Sequence, residues 1–414
     1  MMGVAVGAQA ALPGFRPQLL GPIASGFLSS LAVDSRGTLY YTTTAGKLYR
    51  FADGASTLVA SVTTQGIDNS GLLGMALRDD ATAVVHYTTP NQTEDVISTI
   101  DLASGHETIL ARLVCDISNP GAPAPSEHHG GNPTVAPDGT IYVAIGDYGI
   151  GIIATLPGWS GGRVFRIRPD GSISQFATGF RNPFDLAWDP AGQRLIVPDN
   201  GVNVDDEINI ITEEGHFYGW PWTYGTLPPV GDSVSPLYVF PRVVAPTGVA
   251  LLDGRNPLLG HGMLLGAFVT KALYWIPDLD VRPLPDPIAL LSGETAQIID
   301  VVQARSGDIY FATGSAIYRL EVPQRGDCNG DGMVNAADVD ALLRELADGD
   351  GESVLAAQQG AFAGTLGCDL NADGVVDTRD LSLLLGELGA RTRAVRGTRG
   401  GTPAAGASNP SGKP

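Results

Sequence analysis

Positive charge, long apolar runs and cysteine are the things this 414-residue chain has least of, and each shortage bears on function. Lys and Arg number 25 against 44 Asp and Glu, a formal net charge of -19, so no basic patch is on offer for nucleic acid or an anionic membrane surface. No apolar stretch reaches the roughly 18 residues a membrane helix needs. Three cysteines, Cys115, Cys328 and Cys368, decide little by number alone. Cys115 reads as a small buried apolar residue. Cys328 and Cys368 open two similar loops, where a bridge in an oxidising compartment would close about 40 residues and add roughly 3–4 kcal/mol.

Charged residues make up only 17% of the chain, while Gly reaches 54 and Pro 29. That balance suits short strands joined by tight turns better than long surface helices, and it predicts an all-β body. The length exceeds the roughly 100–200 residues of one ordinary domain, so two units are expected. Charge is also uneven: residues 326–389 hold thirteen Asp and Glu against Arg344 and Arg379. The N-terminal MMGVAVGAQAALPGF ends a short apolar stretch on Ala8-Gln9-Ala10, a small-residue pattern like that of a signal-peptidase site, without a basic start. Residues 1–12 are therefore read as a truncated signal peptide.

One strand pattern recurs at SRGTLYYTTT (35–44), PDGTIYVAIGD (137–147), PAGQRLIVPD (190–199) and RSGDIYFATG (305–314). Each is a glycine turn feeding an alternating strand, and the spacings between them are near multiples of about 50 residues. Blade-like spacing over residues 13–323 predicts a six-bladed β-propeller, with an irregular β-sandwich or two stacked β domains as the alternative.

A different pattern starts after Pro323. Residues 327–346 and 369–388 repeat each other, and Val339, Leu342, Leu343 and Leu346 recur as Leu381, Leu384, Leu385 and Leu388 at helical spacing. Each repeat therefore reads as one loop followed by one amphipathic helix. Beyond 390 the chain is rich in Gly, Pro, Ser and Arg, and residues 390–414 are expected to be disordered.

The loops place oxygen donors in the order a calcium ion needs. Asp327, Asn329, Asp331, the Met333 carbonyl, Asn335 and Asp338 occupy positions 1, 3, 5, 7, 9 and 12, and Asp369, Asn371, Asp373, the Val375 carbonyl, Asp377 and Asp380 repeat them. Gly332 and Gly374 supply the sharp turn at position 6. Asp in place of Glu at position 12 departs from the usual EF-hand pattern. Two such loops, each trailed by one helix, resemble a type I dockerin over residues 326–389. The resemblance implies two Ca²⁺ ions and docking onto a cohesin-like domain or cell-surface scaffold through Ala336-Ala337 and Thr378-Arg379. It also implies an extracellular or periplasmic setting in a bacterium.

Segments of the body, GLLGMAL, EHHGGNPTVAPDGTIYVAIGD, GGRVFRIRPDG, GFRNPFDLAWDP, DNGVNVDDEINIITEEGHFYGWPW and VVAPTGVAL, stand in the order seen in the glucose and sorbosone dehydrogenases, which they resemble. In that family the cofactor pyrroloquinoline quinone (PQQ) sits with a calcium ion at the top of a propeller. The resemblance implies that His128 takes the proton from a sugar's anomeric hydroxyl and that Arg181 stabilises charge on the reduced quinone. Asn182 would contact the cofactor, Tyr238 would line its pocket and Asn69 would stand near the substrate. The backbone carbonyls of Gly201 and Val202 would hold the propeller's Ca²⁺. An imidazole suits proton acceptance near neutral pH and a guanidinium suits lasting positive charge.

The sequence also departs from the family. Val269 stands where a cofactor-binding lysine is expected, Gln297 and Ile299 replace two arginines, and Pro241 replaces a stacking tryptophan. Lys271 is the nearest substitute cation. PQQ carries three carboxylates, and each lost charge-assisted hydrogen bond is worth roughly 1.5–3 kcal/mol. Two functions from different classes therefore stand open: a PQQ-dependent oxidoreductase acting on a sugar or oligosaccharide, and a catalytically degenerate propeller binding carbohydrate or protein in an extracellular assembly. A calcium-dependent lactonase or lyase is a third, for which the acidic axial ligands are not evident.

Overall fold

The structure is a computed structural model that describes residues 11–66, 69–115, 127–202, 205–348 and 364–399. The candidate signal segment at 1–10 and the chain beyond 399 lie outside the described residues. Two compact units divide the chain: a body from Phe15 to Glu321, and a second unit in which Leu12–Gly14 join the residues from Val322 onward.

The body consists of six four-stranded antiparallel sheets, arranged as propeller blades. Five blades are continuous in sequence, with innermost strands at Leu28–Val33, Leu72–Asp79, Pro133–Val135, Ala187–Asp189 and Pro246–Asp253. The sixth is built from Ile298–Gln303, Ile309–Thr313 and Ala316–Glu321, and takes its outermost strand, Arg16–Pro22, from the other end of the chain. Pairing Arg16 with Glu321 and Pro22 with Ala316 closes the ring by backbone hydrogen bonds. A closed ring leaves few strand edges unprotected.

The four recurring sequence patterns all become the second strand of a blade: Leu39–Thr43, Ile141–Ile145, Arg194–Asp199 and Ile309–Thr313. Gly37, Gly139 and Gly307 take the left-handed conformation their turns require, at φ 87°, 85° and 88°. In the third pattern Gln193, at φ 51°, takes that role in place of Gly192. The two blades without the pattern turn differently. Blade two goes through Asp79-Asp80-Ala81 with no glycine, and blade five makes a longer connection from Gly254 to Gly260.

Apolar cores lie between neighbouring blades. Ile196 and Ile208 of blade four, for example, pack into one cluster with Met263, Leu265 and Tyr274 of blade five. At the axis the inner strands are pinned by buried polar groups. The Asp300 carboxylate accepts from Leu31 N (2.7 Å), Ser30 Oγ (3.1 Å) and Asn132 Nδ2 (3.2 Å), and Asp185 accepts from Val249 N at 2.7 Å. Crowding there is severe: a Cβ on Gly131 would lie 1.5 Å from the Phe184 carbonyl oxygen.

In the second unit, helix α1 spans Ala336–Asp348 and α2 spans Thr378–Arg399. Leu342 and Leu384, related by the sequence repeat, are both fully buried. Of the stretch 390–414 expected to be disordered, residues 390–399 belong to α2 and the rest lies outside the described residues. Cys328 and Cys368 are buried free thiols rather than a bridge, and the side-chain hydrogen bond between them, with burial, pushes the Cys328 thiol far up.

Candidate functional site

One face of the propeller carries both the connections from each outer strand to the next inner strand and the turns between second and third strands. These loops surround a pocket of about 640 Å³. Phe27, Phe184, Phe268, Ile299 and Pro246 give it apolar walls, while Asn69, Asn182, Asn200, Thr44, Thr247 and Glu127 supply polar groups. Asn69 and Asn182, far apart in sequence, are thus brought to one cavity. The size matches pockets that take small organic ligands.

Beside it lies a connected polar network. His128, held at φ 52°, places Nδ1 2.6 Å from Asp147 Oδ1, and both residues are buried. Asp147 Oδ2 accepts from Trp220 Nε1 at 2.8 Å, and Gly149 N donates to Oδ1 at 2.9 Å. The Arg181 guanidinium carbon lies 5.7 Å from the Trp220 ring centroid, a cation–π distance, and its Nη1 donates to the Asn200 carbonyl at 2.9 Å. Asp199 accepts from the backbone N–H groups of Arg181 (2.8 Å) and Asn182 (2.6 Å), which fixes the turn that presents both. A carboxylate hydrogen-bonded to one imidazole nitrogen fixes the orientation of the ring.

Three further carboxylates are buried on the strand and loop that follow. Burial, then the charge of Glu207, pushes Asp199 well up, and burial also raises Asp206 and Glu207. Asp206 accepts from Gly201 N, Val244 N and Ala245 N, and Glu207 from Gly225 N and Asn209 Nδ2.

Not every residue expected at the pocket is there. Tyr238 sits on the outermost strand of blade four, packs edge-on to Phe240 at 5.0 Å and donates to Asp286 at 2.9 Å. It is not among the residues lining this pocket, which include Ala245, Pro246 and Thr247. Gly201 and Val202 follow Asn200 on its loop but do not line the cavity. Lys271 is exposed in a turn and is also absent from the lining. The residues missed by sequence reasoning, Asp147, Trp220, Glu127 and Asn200, all lie within or beside the quoted motifs, but nothing local marks them.

This lining offers the carboxylates of PQQ no cationic side chain of its own. Among the described residues lining this pocket there is no Lys or Arg, Ile299 is an apolar wall where a cation is required, and the one ionisable side chain is the acid Glu127. A tricarboxylate would face that carboxylate, and the cation beside the pocket is Arg181, whose guanidinium donates to the carbonyl of the lining residue Asn200.

The two loops of the second unit curl almost identically. Asp327 accepts from Asp331 N (3.1 Å) and Gly332 N (2.9 Å), as Asp369 does from Asp373 N (3.2 Å) and Gly374 N (2.8 Å). Asp338 and Asp380, fully buried, accept from Asn335 N at 2.7 Å and Asp377 N at 2.9 Å. Burial pushes the Asp327 and Asp369 carboxyls up, an unfavourable crowding that a bound cation would relieve. The donor set fits Ca²⁺: side-chain oxygens at positions 1, 3, 5, 9 and 12 and the Met333 and Val375 carbonyls at position 7. Arg379 already pairs with Asp373 and Asp377 in loop two. Loop one has Ala337 at that place.

Comparison with known proteins agrees with this architecture. Residues 28–320 match the family model of glucose / sorbosone dehydrogenases, and residues 325–389 match the type I dockerin domain. The chain belongs to the glucose/sorbosone dehydrogenase family and carries a dockerin domain after the propeller. It is 30% identical to quinoprotein glucose dehydrogenase B of Acinetobacter calcoaceticus, over 40% of this chain and 39% of that one. It is 27% identical to an uncharacterised Synechocystis protein, over 47% of this chain and 56% of that protein. The matches thus span about half or less of these curated relatives. Among solved structures, the PQQ-bound aldose sugar dehydrogenase of Streptomyces coelicolor superposes with TM-score 0.64 at 23% identity, over 76% of this chain and all of that one. The soluble aldose sugar dehydrogenase of Escherichia coli in its apo form gives 0.65 at 18%, over 74% of this chain and 99% of that one. At those identities the likeness concerns the fold.

Proposed function

We propose that this chain is a sugar-binding propeller of the dehydrogenase family, positioned in an extracellular or periplasmic assembly by its calcium-loaded dockerin. The observation that carries the reading is the composition of the axial pocket. Neutral amide and hydroxyl side chains, Asn69, Asn182, Asn200, Thr44 and Thr247, stand among three phenylalanine rings without any lining cation. Saccharides present that mixture in reverse, with hydroxyls that donate and accept and C–H faces that pack on aromatic rings. Ca²⁺ held by the two loops would neutralise their carboxylates and order the segments leading into α1 and α2. The faces at Ala336-Ala337 and Thr378-Arg379 would meet a cohesin-like partner. Because the two pairs differ, they would not bind it equivalently.

The second reading is a sugar dehydrogenase, favoured by the buried His128–Asp147 pair with Arg181 and Trp220 beside it. In that reading His128 accepts a hydroxyl proton and Asp147 holds the ring. The experiment that separates the two uses the calcium-loaded full chain. Neutral mono- and disaccharides and, separately, PQQ are titrated by calorimetry, and aldose-dependent dye reduction is assayed with PQQ present. Saccharide binding with no PQQ binding up to high micromolar concentration supports the sugar-binding propeller. Saturable PQQ binding with dye reduction abolished by His128→Ala overturns it in favour of the dehydrogenase.

A further inference from the structure

The two loops of the second unit share one curl, yet they do not carry the same charges. Loop one holds Asp327, Asp331 and Asp338, with the neutral Asn335 at position 9. Loop two holds Asp369, Asp373 and Asp380 and adds a fourth acid, Asp377, at position 9. Two places further on the loops differ again, with Ala337 in the first and Arg379 in the second.

That exchange changes what the carboxylate oxygens meet. In both loops the position-5 acid accepts from the amide at position 7: Asp331 Oδ1 from Met333 N at 2.8 Å, and Asp373 Oδ1 from Val375 N at 3.0 Å. Its other oxygen accepts from the asparagine at position 3, Asn329 Nδ2 at 3.2 Å in loop one and Asn371 Nδ2 at 2.9 Å in loop two. In loop two the same oxygen, Asp373 Oδ2, also faces Arg379 Nη1 at 3.3 Å. Asp377 is engaged more fully: Oδ1 accepts from Arg379 N at 2.6 Å, and Oδ2 from its Nε at 2.9 Å and its Nη2 at 2.7 Å. At the same place in loop one Ala337 can offer only its backbone N–H, which donates to Asn335 Oδ1 at 2.8 Å. One guanidinium therefore spans positions 5 and 9 of loop two, a reach that its planar fork of donors allows.

We infer that Arg379 is a resident cation of loop two, holding the acids at positions 5 and 9 until Ca²⁺ displaces it, so that loop one loads before loop two. The inference rests on the calcium reading of both loops. The extra acid gives loop two no advantage, because each loop carries three net negative charges, three acids in loop one and 4 − 1 in loop two. What differs is a step: Ca²⁺ must take oxygens that already accept from the guanidinium, and a divalent ion placed there repels it. Arg379 is largely exposed, and exposed ion pairs are weak, so the penalty amounts to roughly threefold to tenfold in affinity rather than a block.

The test is a Ca²⁺ titration of the full chain labelled with ¹⁵N-glycine, with free Ca²⁺ set by a chelator buffer. The amides of Gly332 and Gly374, which donate to Asp327 and Asp369, each report their own loop by nuclear magnetic resonance. In the unaltered chain Gly332 should respond at lower free Ca²⁺ than Gly374. Arg379→Ala, a change at an exposed side chain, should lower the Gly374 midpoint roughly threefold to tenfold and leave that of Gly332 in place. Equal midpoints in the unaltered chain overturn the inference, as does a Gly374 midpoint that Arg379→Ala does not move. A shift of both amides together also overturns it, since that would mark long-range charge rather than contact. If neither amide responds to Ca²⁺ at any concentration, the calcium reading itself falls and takes the inference with it.

Discussion

The propeller and the dockerin unit both concentrate acidic side chains, but they manage the charge in opposite ways. In the dockerin loops the acids of one cluster lie within twelve consecutive residues and accept from backbone amides of the same curl. In the propeller, Asp206 and Asp300 are separated by almost a hundred residues and each is satisfied by donors from distant segments, Val244 and Ala245 for one, Leu31, Ser30 and Asn132 for the other. The loop acids are held by amides of their own curl, while the propeller's axial acids are held by amides of distant blades. The loop cluster is thus gathered by local spacing along the chain, and the axial one by closure of the ring.

Removing calcium should test that contrast most severely. A site loaded at about a thousand times its dissociation constant adds roughly 4 kcal/mol, so two sites contribute an amount comparable to the whole margin of a small domain. Chelation should abolish the helical circular dichroism of α1 and α2 and expose residues from 322 onward to protease. The body from Phe15 to Glu321 should keep its β signal and its own thermal transition. A propeller that melts with the loops would break the distinction.

The reverse experiment strikes a contact made across blades. Asp147→Ala removes the acceptor of His128, Trp220 Nε1 and Gly149 N in a buried place, and leaving such donors unpaired costs on the order of 3 kcal/mol. Calorimetry should show the propeller transition lowered and the dockerin transition unchanged. The pocket offers a milder test by gain of function. Ile299→Arg with Gln297→Arg adds the missing cations, and a single charge-assisted hydrogen bond of about 1.5 kcal/mol should raise PQQ affinity roughly tenfold in a titration. No gain would show that Glu127 and the apolar walls, not the missing charge, exclude the cofactor.

How much of this was legible in the sequence follows from the same contrast. The loops could be read residue by residue, because a metal curl fixes its donors by spacing alone and the repeat displayed it twice. Four of the six blades announced themselves through a turn and an alternating strand. Blades two and five did not, since a hairpin through Asp79-Asp80-Ala81 or a longer connection from Gly254 to Gly260 forms an equally good edge without that signature. The pocket was the hardest to read. Asn69 and Asn182 belong to it, while Tyr238 packs at a blade's outer edge, because a motif's position along the chain does not settle which strand of the blade bears it. Asp147 and Trp220 were visible as letters, but their hydrogen bond crosses from blade three to the segment after blade four's third strand, and only the closed ring brings them together.

The smallest expected effect concerns acid pH, where the two units should respond with opposite signs. Burial pushes Asp300 up to about 6 and the charge of that neighbour, after burial, helps push Asp185 well above the usual carboxylate range. In the unfolded chain both carboxyls titrate near 3.9, so the folded propeller binds protons more tightly. The stability this pair contributes is present at about pH 4 and is lost as pH climbs through about 6, a change on the order of 1–3 kcal/mol. Acidification from pH 7 to pH 5 should therefore raise the propeller's thermal transition modestly, and Asp300→Asn should flatten the dependence. Over the same interval protons compete with Ca²⁺ for the loop carboxylates, so the dockerin transition should fall. Two transitions moving apart on acidification would separate the axial acids from the loop acids within a single scan; two moving together would mean that the axial acids, too, depend on a bound cation.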